Sequence, residues 1–183
     1  MDITVKKFLT FHTTDMDGVN CDVYFDGVKV GQAYDDGMCG ELNFQPDYTP
    51  QVQKLVKELE DHLLTLPEFD LNADKKYHDT PMMHRTSIED LINEAIDKAL
   101  QEKTDKANKK KFEKACLTGV VIGVPKGDHY FTYSWKHVKL ADMVKLPMGR
   151  NTLQAKVGLA KMELKEGETI LNADYLRTLG IRV

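Results

Sequence analysis

Residues 17–37 read DGVNCDVYFDGVKVGQAYDDG, and three Asp-Gly pairs begin at Asp17, Asp26 and Asp36 in this stretch. Such pairs supply the backbone conformations that tight turns require. The intervals between them are nine and ten residues, which leaves room for short strands of alternating apolar and polar residues. The stretch therefore predicts an antiparallel β-meander, with one face of its sheet buried.

Outward from this stretch, four strands are predicted in the first part of the chain. They cover residues 4–12, 19–25 and 28–34, and a fourth short strand holds Leu42 and Phe44. The first strand is predicted to bury one set of apolar side chains, with Lys7 interrupting it: Ile3, Val5, Leu9 and Phe11.

The middle of the chain is predicted to be helical. Thr49 and Pro50 indicate the start of one helix, and the Leu66-Pro67 pair ends it. Residues 67–86 show no period and are interpreted as a long loop. An apolar stripe over residues 88–100, preceded by a capping box at Ser87, predicts a second helix. Residues 101–111 form either its exposed continuation or a flexible linker, and their composition favours the continuation.

The last third of the chain predicts a hairpin followed by helices. Residues 118–124 and 129–135 are two strands around a turn. A short helical turn is predicted to end before Pro147, and a longer helix covers residues 151–164. Asn172 has the residue type and position of an N-cap for a last helix over residues 173–179.

These elements predict an α+β protein with an N-terminal antiparallel β-meander, central helices, and a second β-hairpin with C-terminal helices. The pattern is also compatible with one mixed sheet that combines both β parts, with the helices packed on one face. A length of 183 residues fits one domain of ordinary size or two small ones. We predict a single domain over residues 1–183, which the elements would sub-divide into 1–66, 67–117 and 118–183.

Composition excludes several classes of protein. Apolar residues make up 42% and charged residues 30%, which is unlike disordered or fibrous chains. No apolar run approaches membrane-spanning length and no secretory signal follows Met1, so a soluble, cytoplasmic protein without a membrane partner is expected. The three cysteines, Cys21, Cys39 and Cys116, are predicted to be free thiols because they form no close pair.

Charge is unevenly distributed along the chain. Residues 1–50 carry three Lys or Arg against nine Asp or Glu, a net charge of −6, whereas residues 118–183 carry ten against six, a net charge of +4. This asymmetry predicts a surface with two poles, which would steer a charged partner or favour contact between copies.

One acidic turn is a candidate functional site. Asp35, Asp36 and Cys39 lie among glycines that would permit close approach of a ligand, with Cys39 as nucleophile or soft ligand. Ordinary turn chemistry explains the same residues. The histidines follow no metal-binding spacing, and signatures of phosphate binding or hydrolysis are absent. No catalytic residue, metal or cofactor is therefore predicted.

A second candidate site combines basic and aromatic residues near the C-terminus. Aromatic side chains beside lysines on a strand are typical of surfaces that stack bases. The residues predicted to bind a ligand or nucleic acid are Tyr130, Tyr133, Trp135, Lys136, Lys139 and Arg150.

Two parts of the chain resemble short proteins of bacteriophages and mobile elements. The first is the opening, with residues 5–11, 23–27 and 29–31 before Asp36-Gly37, and the second is the ending, with residues 170–176 and 179–181. The resemblance names no family and implies no functional residue.

The leading hypothesis is a non-enzymatic, protein-binding accessory protein that engages a host or defence protein. The alternatives are binding of nucleic acid or a nucleotide through the C-terminal part, and a small enzyme that uses Cys39 or the acidic turns. A homo-oligomer through the stripe over residues 88–100 is also compatible with the pattern.

Overall fold

A computed structural model describes residues 1–12, 17–38, 41–73, 80–127, 129–135 and 138–183. These residues divide into two compact units, Met1–Lys103 and Thr104–Val183. The predicted α+β class is confirmed by an N-terminal four-stranded antiparallel sheet, helices, and a further small sheet. None of the described helices combines the length and hydropathy needed to cross a membrane. The single-domain organisation stays a prediction.

The first unit contains the β-meander and two main helices. Its elements are β1 (Ile3–His12), β2 (Asp17–Phe25), β3 (Val28–Asp35), β4 (Asn43–Pro46), α1 (Pro50–Leu63), β5 (Phe69–Asp70), β6 (Met83–His84) and the start of α2 (Ile88–Thr118). The four-stranded sheet has the order β1-β2-β3-β4, and a separate pair is formed by β5 and β6.

The Asp-Gly pairs have two different roles. Asp26 and Gly27 form the turn between β2 and β3, with φ angles of 46° and 81°, as predicted. The prediction of a turn at Asp17 is wrong, because Asp17 lies in β2 and pairs with His12 of β1. The next pair along the two strands is Gly18 with Phe11. Glycine is required there, because a side chain would overlap the Phe11 ring.

A bulge in β1 overturns the predicted buried face of that strand. The register of β1 against β2 shifts between Lys6 and Leu9, and Lys7 has a φ of 50°. Within the bulge Phe8 packs against the core, and after it Leu9 is 67% exposed. The alternation of side chains holds only up to Lys6, because one inserted residue exchanges the two faces.

The core of the first unit lies between one face of the sheet and the two helices. Thr49 caps α1, since its Oγ1 accepts a hydrogen bond from the Val52 N–H at 3.3 Å. The apolar stripe of α2 is buried in this core, as its spacing predicts for an amphipathic helix. The most buried members of the core are Cys21, Val23, Phe25, Val30, Ala33, Val52, Leu59, Leu63, Ile88, Ile92 and Ile96.

The opposite face of the sheet holds a buried carboxylate, Asp22, which is only 3% exposed. Its oxygens lie 2.9 Å from Lys29 Nζ and 3.1 Å from Lys7 Nζ, and the amide of Gln32 donates to it at 3.2 Å. The hydrogen bond from Lys29 is the largest of the contributions that hold the pKa of Asp22 well below its usual range. The ionised carboxylate therefore fastens β1 and β3 to the central strand β2.

We expect the stability of the first unit to fall on acidification partly through Asp22. Because the pKa of Asp22 is lowered by folding, its stabilising contribution is present above the pKa of an unfolded Asp, about 3.9. It is lost as the pH falls through the folded-state pKa. Thermal unfolding across acidic pH should show a smaller acid-induced loss for Asp22→Asn than for the wild type. Asp97→Asn, on the exposed side of α2, is the matched control, and equal losses in all three proteins would contradict the prediction.

The second unit contains the predicted hairpin and the C-terminal helices. Its elements are β7 (Gly119–Gly123), β8 (Tyr130–Ser134), α3 (Leu140–Met143), α4 (Pro147–Glu163), β9 (Thr169–Ile170) and α5 (Ala173–Thr178). The sheet has the order β8-β7-β9, with both pairings antiparallel. The most buried core residues are Val120, Leu140, Leu153, Val157, Ala160 and Leu176.

The suggestion of one mixed sheet is wrong for the strands that the structure describes. The meander and the second hairpin belong to separate sheets, and both edges of β7 are occupied by β8 and β9. The short strand β9 was not predicted because residues 169–170 are too few to show alternation.

The structure differs from the helix predictions at two points, the start of α4 and the cap of α5. The helical continuation over residues 101–111 is confirmed, because α2 extends to Thr118. The helix α4 begins at Pro147 rather than Asn151, since proline is well tolerated in the first turn. Asn172 does precede α5, but its side chain makes no capping bond there.

Candidate functional site

An apolar groove of about 530 Å³ lies in the first unit, between β4, α1 and the start of α2. Its size is within the range of ordinary ligand and side-chain pockets. The apolar part of its lining consists of Phe44, Pro46, Val56, Leu63, Leu64 and Ile88. Leu64 is 61% exposed at the end of α1, so the groove presents apolar surface to solvent.

The wall formed by the start of α2 is held by a reciprocal capping box. The Asp90 N–H donates to Ser87 Oγ at 3.1 Å, and the Ser87 N–H donates to Asp90 Oδ2 at 2.8 Å. His84 Nε2 lies 2.7 Å from the same Oδ2 atom. Burial acts to raise the pKa of Asp90, but the bonds from Ser87 and His84 outweigh it and lower that pKa. These hydrogen bonds hold the start of α2, and with it this wall of the groove, in a defined conformation.

A second recess of about 270 Å³ continues the groove along α1. The two recesses share Pro46, Val56 and Glu60, so they form one elongated depression. Tyr48 lines the second recess and is 91% exposed. An exposed tyrosine beside an apolar groove is typical of binding surfaces, because its ring offers contact area with little conformational freedom to lose.

The rim of this depression is acidic. Four carboxylates line the two recesses, against Lys57 and Arg85: Asp47, Glu60, Asp61 and Glu89. The Arg85 guanidinium is already paired with Glu68 at 2.9 Å. The first unit as a whole contains ten Lys or Arg against twenty-one Asp or Glu, a net charge of −11. The depression therefore presents an apolar surface bordered by negative charge.

The aromatic members of the predicted C-terminal site lie on two faces of β8. Tyr130 packs edge-on against Phe112 of α2, with the ring centroids 5.3 Å apart. Tyr133 lies on the other face, where Lys156 Nζ is 4.4 Å from its ring centroid. Trp135 is half-buried and packs against the core of the second unit. The structure therefore does not bring these three rings together as one stacking platform.

The two described basic members of that site lie on different elements. Lys139 precedes α3 and Arg150 lies in the first turns of α4, beside Gly180. Lys136 is outside the described residues. The role of these residues in binding a ligand or nucleic acid stays a prediction.

The acidic turn after β3 shows two successive side-chain turns. Asp35 Oδ1 accepts a hydrogen bond from the Gly37 N–H at 2.8 Å, and Asp36 Oδ1 accepts one from the Met38 N–H at 2.9 Å. These contacts account for both carboxylates as turn residues. Cys39 lies outside the described residues, so its predicted role is untested.

The other two thiols have the environment of structural cysteines. Burial raises the pKa of Cys21 to about 11, and burial also raises the pKa of Cys116. Thiols with raised pKa values are poor nucleophiles at neutral pH. Among the described residues, no group of three or more His, Cys, Asp or Glu is placed to hold a metal ion.

Comparison of the chain with protein-family models, curated proteins and solved structures finds no match.

Sequence reasoning missed the groove entirely. Its lining comes from segments as far apart as Phe44 and Glu89, and no motif joins them. The sequence itself contains two related signals, which are Tyr48 just before the start of α1 and the acidic charge of residues 1–50. Neither signal predicts a cavity, because the groove forms only where α1 and α2 pack around β4.

Proposed function

We propose that the protein binds another protein, and that the groove of the first unit receives a bulky apolar side chain from that partner. The observation that carries the proposal is an apolar depression, about 530 Å³ in its larger part, with an acidic rim. Lys or Arg residues next to the apolar side chain would face the carboxylates of the rim. The partner segment is therefore basic as well as apolar.

The biological role that we propose is that of an accessory protein acting on a host or defence protein. This part of the proposal rests on the resemblance of the opening (residues 5–11, 23–31 and 36–37) and of the ending (residues 170–181) to bacteriophage and mobile-element proteins. The groove supports it only by offering a surface for a protein partner.

We expect a displayed library of random peptides, selected on this protein, to yield sequences with a bulky apolar residue next to Lys or Arg. Tyr48→Ala and Leu64→Ala should each weaken the selected peptides about tenfold, as expected for exposed contact residues of a binding site. Affinity should also fall with added salt, because exposed charges are screened. Isothermal titration of synthetic peptides measures both effects.

The matched control is Leu146→Ala, because Leu146 is 66% exposed but lies in the second unit. It should leave peptide affinity unchanged. Selection of peptides without basic residues, or peptides that bind Tyr48→Ala and Leu64→Ala as well as they bind the wild type, would refute the proposed use of the groove.

A second candidate function is binding of nucleic acid or a nucleotide by the second unit. That unit contains fifteen Lys or Arg against eight Asp or Glu, a net charge of +7. The exposed lysines of α2 that belong to it include Lys109, Lys110, Lys111 and Lys114. Clustered lysines of this kind contact phosphates. The two candidates are distinguishable, because an oligonucleotide held by these lysines would bind Leu64→Ala with unchanged affinity.

A further inference from the structure

The outer edge of β1 is free of any paired strand among the residues that the structure describes. The Asp26 N–H donates to the Asp2 carbonyl at 2.8 Å, and the Asp2 N–H donates to Asp26 Oδ1 at 2.7 Å. Because backbone groups alternate in direction along an antiparallel strand, the N–H and C=O groups of Ile3 and Val5 point away from β2. They are oriented to accept a further antiparallel strand.

The regular part of this edge is short. The bulge between Lys6 and Leu9, with Lys7 at a φ of 50°, interrupts the strand. A bulge prevents continuous pairing beyond it. An added strand would therefore pair only along residues 2–6, and it needs further contacts beside the strand.

Such contacts are available in a recess of about 300 Å³ next to the edge. Met1 and Ile3 form one side of the recess, and one side of α2 forms the other, with Leu91, Glu94, Ala95 and Lys98. The edge of β1 and this part of α2 therefore offer one surface that combines backbone groups with apolar side chains.

The charges on this surface balance. Asp2 and Glu94 are matched by Lys6 and Lys98, whereas the first unit as a whole has a net charge of −11. Two copies of this strongly acidic unit would repel each other over most of their surface. On this neutral surface they meet without net repulsion.

We propose that β1 pairs with the same strand of a second copy of this chain, antiparallel about a two-fold axis at Thr4. In this register Ile3 lies opposite the partner's Val5 and Thr4 opposite the partner's Thr4. Asp2 then lies opposite the partner's Lys6, and symmetry repeats this ion pair. Registers centred on Ile3 or Val5 form no such pair, so charge selects the axis at Thr4.

The buried centre of the apolar stripe of α2 is not the contact in this dimer, because Ile88, Ile92 and Ile96 lie in the core of the first unit. The proposed surface uses only the flank of the stripe that lines the recess, at Leu91 and Ala95.

The test is the mass of the full chain in solution, measured by sedimentation equilibrium over a range of concentrations. We expect the wild type to approach twice 20.8 kDa. Asp2→Lys and Lys6→Asp should each raise the dissociation constant of the dimer at least about tenfold, because each change creates two like-charge contacts. The double variant with both changes restores opposite charges and should recover the dimer. Thr4→Lys, which brings two lysines together on the axis, should also give a monomer.

Lys54→Glu is the matched control, since Lys54 is 77% exposed on α1 and its reversal should leave the dimer intact. Circular dichroism establishes that every variant is folded. A wild-type protein that stays monomeric at all soluble concentrations would overturn the proposal. A dimer that tolerates both single reversals, or a double variant that remains monomeric, would overturn the interface.

Discussion

Replacing Asn172 with Leu is expected to lower the free energy of unfolding of the second unit by about 3–5 kcal/mol. The Asn172 side chain is buried and makes three hydrogen bonds to backbone groups. Its Oδ1 accepts from the Val121 N–H at 3.1 Å, and its Nδ2 donates to the carbonyls of Cys116 and Gly119 at 3.0 and 2.8 Å. Leu has a similar volume but leaves all three backbone groups without their partner, and each orphaned group costs about 1–3 kcal/mol.

The loss is measurable by urea unfolding followed through Trp135, the chain's one tryptophan, which packs against the core of the same unit. Asn151→Leu, at an exposed position of α4, is the control and should change stability by less than about 0.5 kcal/mol. A loss below about 1 kcal/mol for Asn172→Leu would show that water replaces the side chain and would contradict the argument.

Asn172→Asp separates the accepting role from the donating role of this side chain. The carboxylate still accepts from Val121, but its second oxygen faces the carbonyl oxygens of Cys116 and Gly119. The folded state then disfavours the ionised form and raises the pKa of this Asp above its unfolded value. The destabilisation is therefore present above the folded-state pKa and partly relieved below it, when the protonated carboxyl donates to one carbonyl.

Replacing Gly31 with Ala is expected to destabilise the first unit by about 3 kcal/mol through overpacking. A Cβ atom at Gly31 would overlap the carbonyl oxygen of Gln45 and lie 2.8 Å from Cα of Pro46. Both atoms belong to the backbone of β4, so no side-chain rotation relieves the clash. The strand β4 must move away from β3, and Phe44 and Pro46, which line the groove, move with it.

Hydrogen exchange of the backbone amides in β3 and β4 measures this displacement, and the affinity of selected peptides reports its effect on the groove. We expect faster exchange in both strands and weaker peptide binding for Gly31→Ala. Gly158→Ala is the control, because a Cβ there meets nothing within 4 Å. Because Gly158 lies inside α4, its replacement by Ala should raise the free energy of unfolding by about 0.5–1 kcal/mol. Unchanged exchange in β4 for Gly31→Ala would contradict the steric argument.

Local signals predicted most of the secondary structure. The turn at Asp26, the cap at Thr49 and the box at Ser87 were recognisable because each depends on residues within about four positions of one another. The bulge at Lys7 was not recognisable, since an inserted residue leaves the composition of a strand unchanged. The start of α4 at Pro147, rather than at the predicted residue 151, is ambiguous in the sequence, because proline is compatible with both the end and the first turn of a helix.

The candidate site was less predictable than the fold. Tyr130 and Tyr133 were predicted to share one site, but their rings lie on opposite faces of β8, because side chains alternate along a strand. This separation follows from the spacing of the two residues in the sequence. The groove around Val56 and the edge of β1 were not visible, because both depend on which elements pack together.

The amino-acid sequence alone determined the α+β class, the order of most elements and the opposite charges of the front and back of the chain, because periodicity, capping and composition are local properties. Tertiary structure alone decided that Asn172 joins the end of α2 to β7, that Asp22 is buried under two lysines, and that β4, α1 and α2 leave a groove between them. These features require contacts between residues distant in the chain, and only the packed fold selects which distant residues meet.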